Sequence, residues 1–289
     1  MLKRAAKVAM LMVVVVMPVI VIPQVYDPLG VRYEDDVYQV VSRFQCANDG
    51  CTRLRQPEGS FTFKHGWTVT THADGSRWVP DNALDCQVQI ALIGDSYTWG
   101  PYVSDAETWA NRLAQQFPAA CFHNYGVWGY NVEQVELARD EQVPSGMEYV
   151  IYFIFQNDNM GYYALPDPGP PPSALNAVRY IELISWQTGL GGGREGWVRD
   201  EPRYPDRFAA AIRRLAADPR VRFVGFENER LVYTVRDMGL DVFTIPVPPE
   251  DARVSPFDDH PNAAGHRAIA QHLFPLVEEL LAAHRVARP

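Results

Sequence analysis

The 289-residue chain predicts an α/β protein, a three-layer α/β/α sandwich on a five-stranded parallel sheet. Three observations carry that expectation. Short apolar runs recur at 88–93, 122–127, 149–155, 221–226 and 242–245, the texture of strands buried on both faces. Helical patterns fall between them at about 106–117, 131–142, 206–217 and 228–238, with a last one from near Asn262. Strand and helix in alternation imply right-handed crossovers and a parallel sheet. The composition agrees, because 47% hydrophobic and 21% charged residues describe an ordinary globular chain and exclude a disordered, collagen-like or coiled-coil one.

Residues 1–25 stand apart from that fold. Lys3, Arg4 and Lys7 precede an uncharged apolar run at 8–22, and no small-residue cleavage pattern follows Val19. An uncleaved membrane anchor is expected, spanning about 5–25 with Lys7 snorkelling and Pro18 tolerated in lipid. The positive-inside rule then places residues from about 26 onward outside the cytoplasm. A buried core helix is the competing reading.

Residues 26–87 form a small β-rich preface in which Trp67-Thr68-Val69-Thr70-Thr71 before Ala73-Asp74-Gly75 reads as a hairpin. The α/β unit fills 88–289. Its rhythm breaks at about 159–205, where Pro166-Asp167-Pro168-Gly169-Pro170-Pro171-Pro172 and Gly191-Gly192-Gly193 mark a long insertion after the third strand. That places it over the carboxyl edge of the sheet, as a lid or as an ordinary surface excursion. Pro275 is expected to kink or split the last helix near Phe274.

Four cysteines suit an oxidising compartment. Cys46 and Cys51 enclose the turn-rich Ala47-Asn48-Asp49-Gly50. Cys86 lies just before the first strand and Cys121 heads the second, and parallel neighbours begin at the same sheet edge. The expected pairing is Cys46–Cys51 and Cys86–Cys121, one of three connectivities open to four cysteines.

The chemistry-bearing residues cluster at predicted strand ends. The first strand runs into Gly94-Asp95-Ser96-Tyr97-Thr98-Trp99-Gly100, which presents a serine on a glycine-assisted turn into a helix, where a nucleophile is exposed to the ligand space. The bland reading is a turn in which Asp95 or Ser96 caps the helix. After the second strand comes Asn124-Tyr125-Gly126-Val127-Trp128-Gly129-Tyr130-Asn131, whose glycines either admit a ligand to backbone N–H groups or only shape a turn. The third strand ends in Phe155-Gln156-Asn157-Asp158, with an amide that donates to a ligand or caps the chain. Asp258-Asp259-His260-Pro261-Asn262 precedes an apolar helix, which suggests that His260 is held at a helix start with carboxylates to orient it.

Together and in this order, these blocks resemble the SGNH (GDSL-type) hydrolase family over about residues 88–285, most closely at 94–109, 124–129 and 258–266. The resemblance implies a flavodoxin-like sandwich and a serine esterase that works without a cofactor. Its four blocks would supply the nucleophile Ser96, the oxyanion-hole donors Ser96, Gly129 and Asn157, and the base His260. Two departures stand out. Phe155 occupies the place where the family usually has glycine, a change expected to affect packing more than chemistry. The family's acid commonly stands two or three residues before the histidine, and since the third place is Phe257, Asp258 is the candidate, with Asp259 as fallback.

The remaining histidines, His65, His72, His123, His266, His272 and His284, make no metal-ligand spacing with each other or with cysteine. On the last helix, His266, His272 and His284 suit a solvated face or a satisfied partner. Trp99 and Trp128 flank the site and either line an acyl or sugar subsite or pack the core. The formal charge of −9 includes the three cations before the apolar run, so the rest is more acidic still and nucleic acid is excluded as a partner. The expected activity is extracytoplasmic cleavage of an ester, such as an O-acetyl group, on a cell-surface glycan or lipid. The alternatives are transfer of acyl groups to or from a polysaccharide, and a non-catalytic glycan-binding protein on the same scaffold.

Overall fold

The structure is a computed structural model that describes residues 45–46, 54–63, 65–159, 204–255 and 258–287. The expected anchor, Cys51 and residues 160–203 of the insertion lie outside the described residues. Among the described residues no helix is long and apolar enough to cross a membrane.

Four short strands open the described chain. β1 (Gln45–Cys46) pairs with β2 (Leu54–Arg55), and β3 (Gly59–Thr62) pairs antiparallel with β4 (Thr68–Thr71). The hairpin therefore closes backward from the expected place. The turn at Ala73-Asp74-Gly75 does form, with the Gly75 N–H donating to His72 O at 2.8 Å. It leads only to the single bridge Thr71↔Arg77, because Arg77 is also bridged to Asn124 at the edge of the main sheet.

The main sheet comprises β5 (Val88–Gly94), β6 (Ala120–Asn124), β7 (Tyr149–Ile154), β8 (Val221–Phe226) and β9 (Val242–Ile245). Their order is β6-β5-β7-β8-β9 with every pairing parallel, the flavodoxin-like arrangement. Residues alternate across it. Ala91 and Ile93 pack with Tyr152 and Ile154 on one face, Ile90 and Leu92 with Ile151 and Phe153 on the other, all of them fully buried. Such strands can be apolar throughout because both faces are covered.

The helices are α1 (Ser96–Trp99), α2 (Trp109–Gln116), α3 (Val132–Glu141), α4 (Tyr204–Ala216), α5 (Arg230–Asp237) and α6 (Ala263–Ala287). Residues of α3, α4 and α5 fill the first face, and those of α2 and α6 the second. Pro275 lies inside α6 without splitting it. Its missing N–H removes one helix hydrogen bond, but Leu273, Leu276, Val277 and Leu280 bury that stretch against the sheet and hold the helix together. The second strand also differs from expectation, ending at Asn124 rather than 127. The buried Asn124 amide donates to Thr98 O at 2.8 Å and its carbonyl accepts from Gly126 N at 3.0 Å, which turns the chain out of the ladder toward α1.

Two further strands, β10 (Arg253–Ser255) and β11 (Asp258–Pro261), pair antiparallel beside the main sheet. Cys86 and Cys121 are disulfide-bonded with Cα atoms 5.6 Å apart, as the shared starting edge of β5 and β6 predicts.

Candidate active site

Ser96 enters the site from the carboxyl end of the central strand β5. Asp95, fully buried, accepts from the Tyr97 N–H at 2.9 Å and caps α1, so the capping role falls on the aspartate and leaves the serine hydroxyl for other use. Gly126 lets the second strand exit approach closely. A Cβ there would stand 2.5 Å from Trp99 N and 2.8 Å from the Thr98 carbonyl carbon. Ser96 itself is 4% exposed, and its Oγ lies 2.8 Å from His260 Nε2.

His260 arrives on a strand, not at a helix start. It belongs to β11, and α6 begins only at Ala263, with the Asn262 side chain accepting from the N–H groups of Ala264 and Gly265. Pro261 pairs with Arg253 in the β10–β11 ladder. The Tyr97 hydroxyl donates to Asp259 O at 2.8 Å and ties this strand to α1. His260 Nδ1 lies 2.5 Å from Asp258 Oδ1, which also accepts from the His260 backbone N–H at 3.0 Å. Asp259 is exposed, so of the two carboxylates it is Asp258 that meets the ring.

These contacts set the charges. Burial alone would pull the His260 pKa down, but Asp258, helped by Asp259 and Asp95, reverses that, and the net direction is up. Burial likewise pushes Asp258 upward, yet the His260 charge and hydrogen bonds from His260 and Tyr102 bring it below the usual carboxylate value. With Nδ1–H held by Asp258, Nε2 is the atom left to accept the Ser96 proton.

The expected oxyanion donors are Ser96, Gly129 and Asn157. Neither the Ser96 N–H nor the Gly129 N–H has a hydrogen-bond partner among the described residues. Gly129 has φ +74°, a backbone state that favours glycine, and its neighbour Trp128 places its ring 5.1 Å from that of His260. Asn157 lies in the 3₁₀ turn Gln156–Asn159 at the end of β7, and its side chain is outside the described atoms. Phe155 is buried and stacks on Tyr97 with ring centroids 3.7 Å apart, so the residue replacing the family glycine serves packing.

The tryptophans separate. Trp99 is buried in the core and donates to Gln56 Oε1 at 3.1 Å, whereas Trp128 is half-buried beside the site. Asp258, Asp259 and His260 could in principle hold a cation, since their ligand atoms lie within 4.8 Å of one another, but both His260 ring nitrogens are already engaged by Asp258 and Ser96. His266 is buried rather than solvated. Its Nδ1 accepts from the Trp109 N–H at 3.2 Å, and burial, followed by Arg77, pushes its pKa down to about 3, so it stays neutral.

Three further residues near the site have no role assigned from the sequence. Arg77 is buried and donates to Asp105 Oδ1 at 2.8 Å, Trp99 O at 2.8 Å, Val103 O at 2.6 Å and Gly100 O. Asp105 also accepts from the Thr70 N–H at 2.9 Å, which joins β4 to the loop after α1. Tyr102, in the middle of that loop, is the third.

The model of the GDSL-like lipase/acylhydrolase family matches residues 92–268, and the chain belongs to that family of ester hydrolases. No curated protein matches the chain. Among solved structures it is similar to LAE5, an alpha/beta hydrolase enzyme from the metagenome of Lake Arreo, Spain, at 14% identity and TM-score 0.42 over 68% of this chain and 98% of that one. It is also similar to a member of the lipolytic protein G-D-S-L family from Veillonella parvula DSM 2008, at 17% identity and TM-score 0.32 over 65% and 97%. A two-domain esterase active on acetylated mannans, co-crystallised with mannopentaose, matches at 16% identity and TM-score 0.42 over 67% of this chain and 49% of that one.

Proposed function

We infer that this hydrolase is a serine esterase whose Ser96, His260 and Asp258 cleave a carboxylic ester by acyl transfer. The observation that carries the reading is the unbroken chain of contacts, 2.8 Å from Ser96 Oγ to His260 Nε2 and 2.5 Å from His260 Nδ1 to Asp258. Ser96 Oγ attacks the ester carbonyl as its proton passes to His260 Nε2, and the C–O bond to the alcohol breaks as that proton is handed to the leaving oxygen. Water then attacks the acyl-serine with His260 again as base, releasing the acid and restoring Ser96. Asp258 holds the imidazole in the tautomer both steps need. The N–H groups of Ser96 and Gly129, with the Asn157 amide as third donor, stabilise the negative oxygen of the tetrahedral intermediates.

The substrate we favour is an O-acylated, for instance O-acetylated, glycan or lipid at the cell surface. Support comes from the half-buried Trp128 ring beside His260, an apolar face suited to a sugar ring. The cationic start and apolar run at 8–22 support an anchored enzyme acting outside the cytoplasm. Ser96→Ala is expected to abolish hydrolysis of p-nitrophenyl acetate, and a fully active variant would exclude the mechanism. Adding an acceptor sugar separates hydrolase from transferase, because only a transferase yields the acylated sugar.

A further inference from the structure

We propose that the cleft beside Tyr97 is a sugar subsite, holding an uncharged residue of a glycan whose adjoining residue presents its ester to Ser96. The inference rests on the acyl-transfer reading above and narrows its substrate from an acylated glycan or lipid to a neutral glycan.

The cleft encloses about 540 Å³ including its open mouth. Three of the residues lining it adjoin reacting groups in the chain: Tyr97 follows Ser96, Asp259 precedes His260 and Gln156 precedes Asn157. The Tyr97 ring lies 5.4 Å from that of His260 between centroids, and its hydroxyl donates to Asp259 O at 2.8 Å. Trp128, also beside His260, packs with the core on the other face of the sheet from Tyr97. A ligand in the cleft therefore lies next to an ester at Ser96 and leaves the Trp128 ring to a second sugar residue.

The lining has the chemistry of a sugar site. Its apolar part is aromatic, with Tyr97 stacked on Phe155 at 3.7 Å between centroids and Phe226 meeting Tyr97 edge-on at 5.7 Å. Gln156, Asn228, Glu229, Arg253 and Asp259 add donors and acceptors together. The backbone of Arg253 is fixed, because it pairs with Pro261 in the ladder that carries His260 and its carbonyl accepts from the Asn262 amide at 2.8 Å. Its side chain, on a half-buried residue, makes no ion pair or hydrogen bond among the described residues, although Glu229 and Asp259 line the same cleft. One cation against two acids leaves the lining negative, which disfavours a uronate or phosphate. A long acyl chain would take these charged groups out of water without replacing their hydrogen bonds. A sugar residue lays its C–H face on the aromatic rings, and each of its hydroxyls both donates and accepts.

The test measures kcat/KM on p-nitrophenyl acetate and on mono-O-acetylated xylose, glucose and mannose beside their tetraoses, in the wild-type chain, Arg253→Met and Glu229→Gln. At least one acetylated tetraose should exceed its monosaccharide by about tenfold. Each variant should lose about tenfold on that tetraose relative to p-nitrophenyl acetate in the same variant, the size of one hydrogen bond to a charged group. Taking the ratio within one variant cancels any loss of folded protein. Equal rates on tetraoses and monosaccharides would overturn the inference, as would ratios unchanged in both variants. So would a preference for p-nitrophenyl octanoate or for O-acetylated tetragalacturonate that Arg253→Met alters, since the cleft would then hold an acyl chain or an anion. A wild-type protein that hydrolyses none of these esters would instead overturn the acyl-transfer reading, and this inference with it.

Discussion

A serine hydroxyl becomes a useful nucleophile only when a neutral imidazole nitrogen faces it, so under the proposed mechanism the titration of His260 governs the pH dependence of the reaction. Its pKa is raised above the ordinary histidine value of about 6.5 by the acidic groups around it. The protonated form cannot accept the Ser96 proton, so kcat/KM should rise with pH through an inflection above about 6.5. Asp258→Asn removes the largest raising influence and the tautomer control together. Its inflection should move to lower pH, with kcat lower by about 10⁴-fold, measured as a pH–rate profile on p-nitrophenyl acetate. An unshifted inflection would detach Asp258 from the histidine. The contact among Ser96, His260 and Asp258 was legible because each stands in a short motif of unusual residue types. The backbone state of Tyr102 was not, since nothing in a sequence marks a tyrosine that will adopt a glycine-like backbone angle.

At the scale of elements, the loop after α1 is braced by a buried ion pair. The buried Arg77–Asp105 pair, with side chains 1% and 6% exposed, links residue 77, ahead of the main sheet, to that loop. Removing one partner of a buried ion pair strands the other charge. Arg77→Met should therefore cost about 3–5 kcal/mol in denaturant unfolding, with loss of activity as the loop relaxes. A cost near zero would mean the loop holds its shape unaided. Local pattern reading succeeded for strands whose apolar runs end where their ladders end, as at Val221–Phe226 and Val242–Ile245. It failed where tertiary contacts decide. Asn124 ends β6 through its buried side chain, the β10–β11 ladder claims His260 and Pro261 before the helix starts, and core packing carries α6 through Pro275.

For the whole molecule, the parallel order β6-β5-β7-β8-β9 puts β5 near the middle of the sheet with Ser96 just beyond its carboxyl end, where open α/β sheets bind ligands. The alternation of strands and helices made that architecture legible, whereas buried charge such as Arg77 has no periodicity to betray it. The Cys86–Cys121 bond closes a 35-residue separation between the starting edges of β5 and β6, away from the nucleophile. A double serine replacement should lower stability by about 4 kcal/mol while leaving the Ser96 labelling rate of the folded protein unchanged. A matching loss of labelling rate would show that sheet edge and site are coupled.

The central claim, that Ser96 is the nucleophile of an ester hydrolase, is tested most directly by fluorophosphonate labelling followed by peptide mapping. The expected result is one covalent adduct, on the peptide containing Ser96, forming in step with the loss of ester hydrolysis. An adduct on another residue, or hydrolysis that continues after Ser96 is fully modified, would contradict it.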